Sequence, residues 1–203
     1  MSENFFAMMS RMKYIERWAL MRNSYAENIS EHSLETAMLA HALAVIGNRR
    51  LGKHYDAEKA ALIAIYHDST EIITGDMPTP VKYCNRRLQG AFKEVEEHAA
   101  RQLLAMIPED LREDYESIFF AKEGEEDVWK LVKAADKLSA LIKCIEEAKA
   151  GNTEFTSAKE SIENALMSMN LEEVRIFRDT FMAGYYKTLD ELQRRDNESS
   201  YKD

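Results

Sequence analysis

Residues 57–83 read AEKAALIAIYHDSTEIITGDMPTPVKY, and this stretch decides the fold. The AALIAIY stretch (60–66) is apolar on almost every side, Asp56 ahead of the segment is a helix cap, and the spacing predicts a helix from Ala57 to about Ile73. Gly75 ends that helix, and Met77-Pro78-Thr79-Pro80 forms a stiff turn because each proline also restricts the residue before it. His67 and Asp68 arrive at the end of the most apolar helix of the chain, where a carboxylate is costly unless paired. Glu71 follows within one turn, on the same side as His67 and Asp68.

The same periodicity extends outward in both directions. From Ser30 to Arg50, Leu34, Ala37, Met38, His41 and Val45 recur at three- and four-residue steps, while Leu39, Leu43 and Ile46 fill a second face. A central helix capped by Ser30, with His41 as a core histidine, is expected. Further helices are expected at about 85–107, 109–119, 126–150, 154–168 and 171–195, with Gly151-Asn152 stopping the fourth of these. Residues 1–195 thus read as one compact all-α bundle of about seven helices, and 196–203 as a polar, frayed tail. The early methionines, Met1, Met8, Met9, Met12 and Met21, read as gap-filling core, and Glu123 to Asp127 as a solvated helix start.

Composition supports this class and narrows the function. Seven Gly and three Pro in 203 residues are too few for the turns of a β-sandwich. No apolar run is long enough to cross a bilayer, and the first residues lack the apolar stretch of a signal peptide. Cys84 and Cys144 form no CxxC motif, which favours a reducing, cytoplasmic setting. A net charge of −9 argues against nucleic-acid polymers and anionic membranes as partners. That charge is uneven: 12 Lys/Arg face 13 Asp/Glu in residues 1–100, and 15 face 23 in the rest. The first half is where a small anionic ligand is tolerated.

The candidate chemistry lies in a few polar residues on apolar helices. His32 falls in the first turn of a buried helix. In VWKLVKAADKLSALI (128–142) the buried face is Val128, Leu131, Val132, Ala135, Leu138 and Ile142, and Asp136 sits beside it. With His67 and Asp68 these give a mixed nitrogen–oxygen site for a divalent ion. His41 lies nine residues from His32, about 900° of rotation and roughly 13 Å along the helix, so the two cannot share an ion. Plainer accounts exist for each residue alone. His32 can simply pack, Asp136 can pair with Lys133 or Lys137, Arg17 can be a surface residue, and Trp18 can be core.

The order His32, then His67-Asp68, then Asp136, all on helices, resembles the HD-domain metal-dependent phosphohydrolases. The likeness is closer to the bacterial 5′-deoxynucleotidases of the YfbR type. It runs through Arg17-Trp18, ENISEHS (27–33), YHDSTEIITGDMPTPVKY (66–83) and VKAADKLSALIKC (132–144). The resemblance implies an HD-type bundle whose four ligands, His32, His67, Asp68 and Asp136, hold one divalent transition ion. It favours cobalt or manganese, with zinc, nickel or iron(II) also suited to such a donor set. It implies a metal-dependent phosphomonoesterase acting on 5′-deoxynucleoside monophosphates, and a homodimer. Glu71 would act as general acid/base and Arg17 as the phosphate clamp. Trp18 would line the sugar pocket against a 2′-hydroxyl, and Asp76 would meet the 3′-hydroxyl. Met77, Pro78 and Thr79 would add loop contacts, with His32, Asp68 and Asp136 also reaching substrate. Three rivals stay open: a triphosphohydrolase, a cyclic-nucleotide phosphodiesterase, and a nucleotide sensor that keeps the ion without catalysis.

Overall fold

Three apolar helices that cannot bury themselves alone organise the molecule. The computed structural model describes residues 3–82 and 84–194, and the expected tail at 196–203 and Met1 lie outside these. The helices are α1 (Phe5–Met9), α2 (Ile29–Arg50), α3 (Ala57–Tyr66), α4 (Glu71–Thr74), α5 (Thr79–Lys82) and α6 (Arg86–Leu104). They are followed by α7 (Glu109–Phe119), α8 (Glu126–Lys149), α9 (Thr156–Ser168), α10 (Glu172–Phe181) and α11 (Leu189–Gln193). Seven of them reach ten residues or more: α2, α3, α6, α7, α8, α9 and α10. Among the described residues there is no strand, only one isolated bridge between Glu16 and Asn28, and no helix long and apolar enough to cross a membrane.

The main core joins α2, α3 and α8 through Leu39, Leu43, Ile63, Leu131, Leu138 and Ile142, closed by Leu166 of α9 and Val174 and Phe177 of α10. Each such side chain, taken fully out of water, contributes about 1.5–3 kcal/mol. A second cluster holds the N-terminus: Phe5 packs with Leu103, Leu104 and Ile107 and stands edge-on to Tyr115 and Phe119.

Several boundaries differ from the sequence expectation, each for a local reason. Asn28, not Ser30, caps α2: its side chain accepts from the backbone N–H of Ser30 and Glu31, and Glu31 reaches back in a capping box. The helix expected over 57–73 breaks after Tyr66. There His67 Nδ1 contacts the Ala64 carbonyl at 2.7 Å and Ser69 Oγ donates to the Tyr66 carbonyl at 2.6 Å, so side chains take acceptors a continuing helix would use. Gly75 stops α4 as expected, with φ +72. Thr79 and Pro80 open the short helix α5 rather than completing a turn. The last expected helix, 171–195, is interrupted by a 3-10 turn at Met182–Tyr186 and restarts at a Thr188–Glu191 capping box.

Burial also corrects the reading of α2. Of its two apolar faces the bundle covers the one with Leu39, Leu43 and Ile46, and Leu34 and Met38 remain 61% and 60% exposed. His41 is exposed and is not a core histidine. Met12 is buried and Met8, Met9 and Met21 are half-buried. In the acidic run only Glu125 turns inward, to pair with Lys59.

Candidate metal centre

The three core helices also deliver the polar residues. His32 sits one turn into α2, His67 and Asp68 stand where α3 ends, and Asp136 lies midway along α8. His32 is fully buried; its Nε2 lies 3.4 Å from Asp68 Oδ2 and 3.2 Å from Asp136 Oδ1. His67 Nε2 lies 3.2 Å from Asp68 Oδ2, and the two imidazole rings are 5.2 Å apart between centroids. One donor atom from each of His32, His67 and Asp68 falls within 4.8 Å of the others.

Both imidazoles are held from behind. His32 Nδ1 meets Ser139 Oγ at 3.0 Å, and Ser139 spends its own proton on Glu35 Oε2 at 2.6 Å. The His32 Nδ1–H is therefore the donor of that contact, which leaves Nε2 as the lone-pair nitrogen facing the cluster. The His67 Nδ1–H donates to the Ala64 carbonyl, and its buried Nε2 has no hydrogen-bond partner despite the nearby carboxylate. Two aimed imidazole nitrogens, one of them orphaned, between two carboxylates fit a divalent transition ion.

Electrostatics sharpen the arrangement. Burial would raise the Asp68 carboxyl, but His67, His32 and Arg17 hold it far below its ordinary range. Burial likewise opposes, and His32 then outweighs, so that Asp136 falls to about 2. The His67 imidazole, which burial alone would depress, is lifted to about 9 by Asp68 and Asp136. Burial lowers His32, with Arg17 adding to the effect. Glu71 goes the other way: burial, then Asp68 and Asp76, push its carboxyl up to about 10. Its Oε2 is buried without a hydrogen-bond partner.

Arg17 borders the cluster, with Nη2 3.9 Å from Asp136 Oδ1 and Nη1 bonded to Glu27 Oε2 at 3.0 Å. Trp18 has φ +62, a left-handed conformation that costs a bulky residue about 1–3 kcal/mol and collects at functional sites. Its indole lies against Phe155, centroids 5.2 Å apart. Asp76 is close enough to feel Arg17 and the Trp18 backbone N–H, which oppose the rise that burial causes. The loop that follows Trp18 is anchored on α8. Glu147 accepts from the Ser24 N–H and from Asn152 Nδ2, and it pairs with Lys143, which itself bonds the Tyr25 carbonyl.

The structure therefore brings together His32, His67, Asp68 and Asp136, with Arg17 at the rim and Glu71 and Asp76 in the same electrostatic neighbourhood. Met77 and Pro78 are half-buried and Thr79 is exposed. Among the described residues none of the three has a side-chain hydrogen bond to the cluster. Residue-by-residue reading passed over Ser139, Glu35 and Glu27. Glu27 and Ser139 both lie in segments already quoted, but nothing about either residue alone marks it.

A helical bundle that converges two His and two Asp in this order has the fold of the HD-domain phosphohydrolases. An HD-domain phosphohydrolase from Listeria innocua superposes with a TM-score of 0.76 at 22% identity, covering 90% of this chain and 88% of that one. The cyanophage S-2L HD phosphohydrolase, solved with dA and one catalytic Zn2+ ion, gives 0.64 at 21% identity, over 90% and 96% of the two chains. The family model described as 5′-deoxynucleotidase YfbR-like matches residues 4–195. The chain belongs to this YfbR-like family. It is 44% identical to a 5′-deoxynucleotidase of Shewanella oneidensis, over 93% of this chain and 97% of that protein. It is 46% identical to 5′-deoxynucleotidase yfbR of Photorhabdus temperata, over 93% and 96%.

Proposed function

We propose that this protein hydrolyses 5′-deoxynucleoside monophosphates to deoxynucleoside and phosphate, using one divalent ion held by His32, His67, Asp68 and Asp136. It is an enzyme of the phosphoric monoester hydrolase class. The observation that carries the assignment is Arg17 Nη2 at 3.9 Å from Asp136 Oδ1. A permanently charged fork on the rim of a histidine–aspartate cluster is what a phosphate dianion requires. Identity of 44–46% to curated 5′-deoxynucleotidases over nearly the whole chain supports the substrate class.

When bound, the ion supplies Lewis-acid polarisation of the phosphoryl group and an activated water. The chain does the rest. Arg17 grips phosphate oxygens and turns the ester so that the 5′-oxygen leaves in line. Glu71, half-buried one turn from Asp68 with its Oε2 free of any hydrogen-bond partner, hands a proton to the departing 5′-oxygen. The Trp18 indole closes the pocket against a 2′-hydroxyl, and Asp76 accepts from the sugar 3′-hydroxyl. His32, Asp68 and Asp136 border the phosphate, and Met77, Pro78 and Thr79 contribute the loop beside it. Cobalt or manganese is the expected ion, with zinc, nickel and iron(II) compatible with the same donors.

Residues 1–195 form the catalytic unit and 196–203 take no part in chemistry. The enzyme works in the cytoplasm as a homodimer. The uncovered stripe of α2, Leu34, Met38 and Val45, with Leu62 and Ile65 of α3, supports a second copy as its cover.

The test is phosphate release by chelator-stripped protein resupplied with Co, Mn, Zn or Mg. Its panel holds 5′-deoxynucleotides, 5′-ribonucleotides, 3′-nucleotides, a cyclic nucleotide and a deoxynucleoside triphosphate. Metal-dependent release from 5′-deoxynucleotides alone is expected. Hydrolysis of only the triphosphate or the cyclic nucleotide, or ion binding without any turnover, would replace the assignment.

A further inference from the structure

Glu27 stands directly before the cap of α2 and is 9% exposed. One atom of its carboxylate, Oε2, accepts two hydrogen bonds, from Arg17 Nη1 at 3.0 Å and from Trp18 Nε1 at 2.9 Å. The backbone around it is already secured by other means. The Arg17 N–H donates to the Glu27 carbonyl at 2.9 Å and the Ile29 N–H to the Ile15 carbonyl at 3.0 Å. These main-chain bonds pair 15–17 with 27–29 whatever side chain stands at 27, so the Glu27 side chain acts on side chains rather than on the path of the chain.

Its two partners are adjacent residues with different targets. Holding Nη1 fixes the guanidinium plane and leaves Nη2 directed toward Asp136. Holding the indole N–H fixes the edge of a ring whose backbone is in the left-handed region. Phe155 supplies a second wall for that ring, but no polar contact. Without the Glu27 oxygen the guanidinium still has carboxylates around it, Asp68, Asp136 and Asp76. The indole has no other hydrogen-bond acceptor among the described residues.

We infer that Glu27 is a specificity-determining positioning residue: one carboxylate oxygen locks the Arg17 fork and the Trp18 ring into a single unit. Phosphate placement and rejection of a 2′-hydroxyl are then set by the same atom. The inference rests on the deoxynucleotidase assignment for its substrate readout and on the two hydrogen bonds alone for its anchoring readout. Because Trp18 depends on Glu27 more than Arg17 does, loss of the acceptor relaxes sugar selection first. Ribonucleotides then gain relative to deoxynucleotides, while the ion, held by other residues, stays bound.

The experiment compares metal-loaded wild type, Glu27→Met and Glu27→Gln on dAMP and AMP. Gln retains an acceptor oxygen at nearly the same place, whereas Met fills the volume without one. Glu27→Met is expected to lower the deoxy-to-ribo ratio of kcat/KM by about tenfold, with unchanged metal content, and Glu27→Gln to keep the ratio within about threefold of wild type. A ratio that Glu27→Met leaves within about twofold overturns the inference, as does a loss that Glu27→Gln fails to rescue. Should Glu27→Met not fold, Glu27→Asp withdraws the oxygen by one methylene and is expected to lower the ratio about threefold; no change there also overturns it.

Anchoring is read separately. Trp18 and Trp129 are the two tryptophans of the chain, so a Trp129→Phe background isolates Trp18 fluorescence. Acrylamide quenching of Trp18 should rise about twofold in Glu27→Met and stay near the parent value in Glu27→Gln. Unchanged quenching in Glu27→Met overturns the inference whatever the substrate. This quenching pattern in a wild type that does not hydrolyse deoxynucleotides would uphold the anchoring and remove the substrate assignment instead.

Discussion

His32 and Ser139 are 107 residues apart in the chain, and in the core His32 Nδ1 meets Ser139 Oγ at 3.0 Å. Glu35 completes the relay by accepting from Ser139 at 2.6 Å. Outer partners of this kind fix the tautomer and the aim of a ligating imidazole, and their loss typically costs 10–100-fold in metal affinity. Ser139→Ala should weaken ion binding by about that factor while leaving helix content unchanged. Competition against a chromophoric chelator, with circular dichroism alongside, measures both.

Glu71 gives a pH signature in the metal-free protein. Its carboxyl ordinarily titrates near 4.5 and stands at about 10 in the fold. Below pH 4.5 folded and unfolded chains both hold the proton. Above it the unfolded chain releases the proton and the folded one does not, so Glu71 costs stability increasingly as pH rises. Glu71→Gln removes that cost. Metal-free Glu71→Gln should melt at least about 3 °C above wild type at pH 8, with the gap closing toward pH 4.5. Melting curves across that range decide it, and turnover of the metal-loaded variant should fall at least about 100-fold.

Ion binding should be proton-linked through His67. Its imidazole, lifted to about 9, carries a proton at neutral pH that an incoming ion must displace. Apparent affinity should therefore rise with pH up to about 9, by no more than about tenfold per unit for a single proton. Calorimetric titration in buffers of different ionisation enthalpy counts the proton released.

Gly47 tests the packing of the α2–α10 contact away from the site. A Cβ there would lie 2.5 Å from Tyr55 Cε2 and 3.2 Å from Glu173 Oε1. Tyr55 cannot simply swing aside, because its hydroxyl donates to Glu173 at 2.9 Å. Gly47→Ala should cost about 1–3 kcal/mol, about 2–4 °C in Tm for each of those kcal/mol. Scanning calorimetry gives the value directly.

Much of this is legible in the amino-acid sequence itself. Every residue expected on the buried face of α8, from Val128 to Ile142, is buried, because one apolar stripe on a long helix leaves a single way to pack. On α2 two apolar faces compete, and periodicity does not say which one the bundle covers, so Leu34, Met38 and His41 read as core and stand exposed. The break after Tyr66 has no Gly or Pro to announce it; it is made by side-chain bonds of His67 and Ser69. The four candidate ligands could be picked out because charged and imidazole groups are anomalous on apolar helices. Glu27 and Ser139 could not, since a Glu in a polar segment and a Ser in a helix become informative only when their partners are known.

The candidate ligands come from three places, His32 from α2, His67 and Asp68 from the end of α3, and Asp136 from α8, while the two cysteines, Cys84 exposed and Cys144 buried, are unpaired. An ion at that junction is thus the fold's removable staple, joining positions 104 residues apart without a covalent bond. At a free concentration of 1,000 times its dissociation constant it adds about 4 kcal/mol to folding. Depletion of the ion would then shorten the lifetime of the protein as well as silence it, and the amount of enzyme in a cell becomes a record of its metal supply.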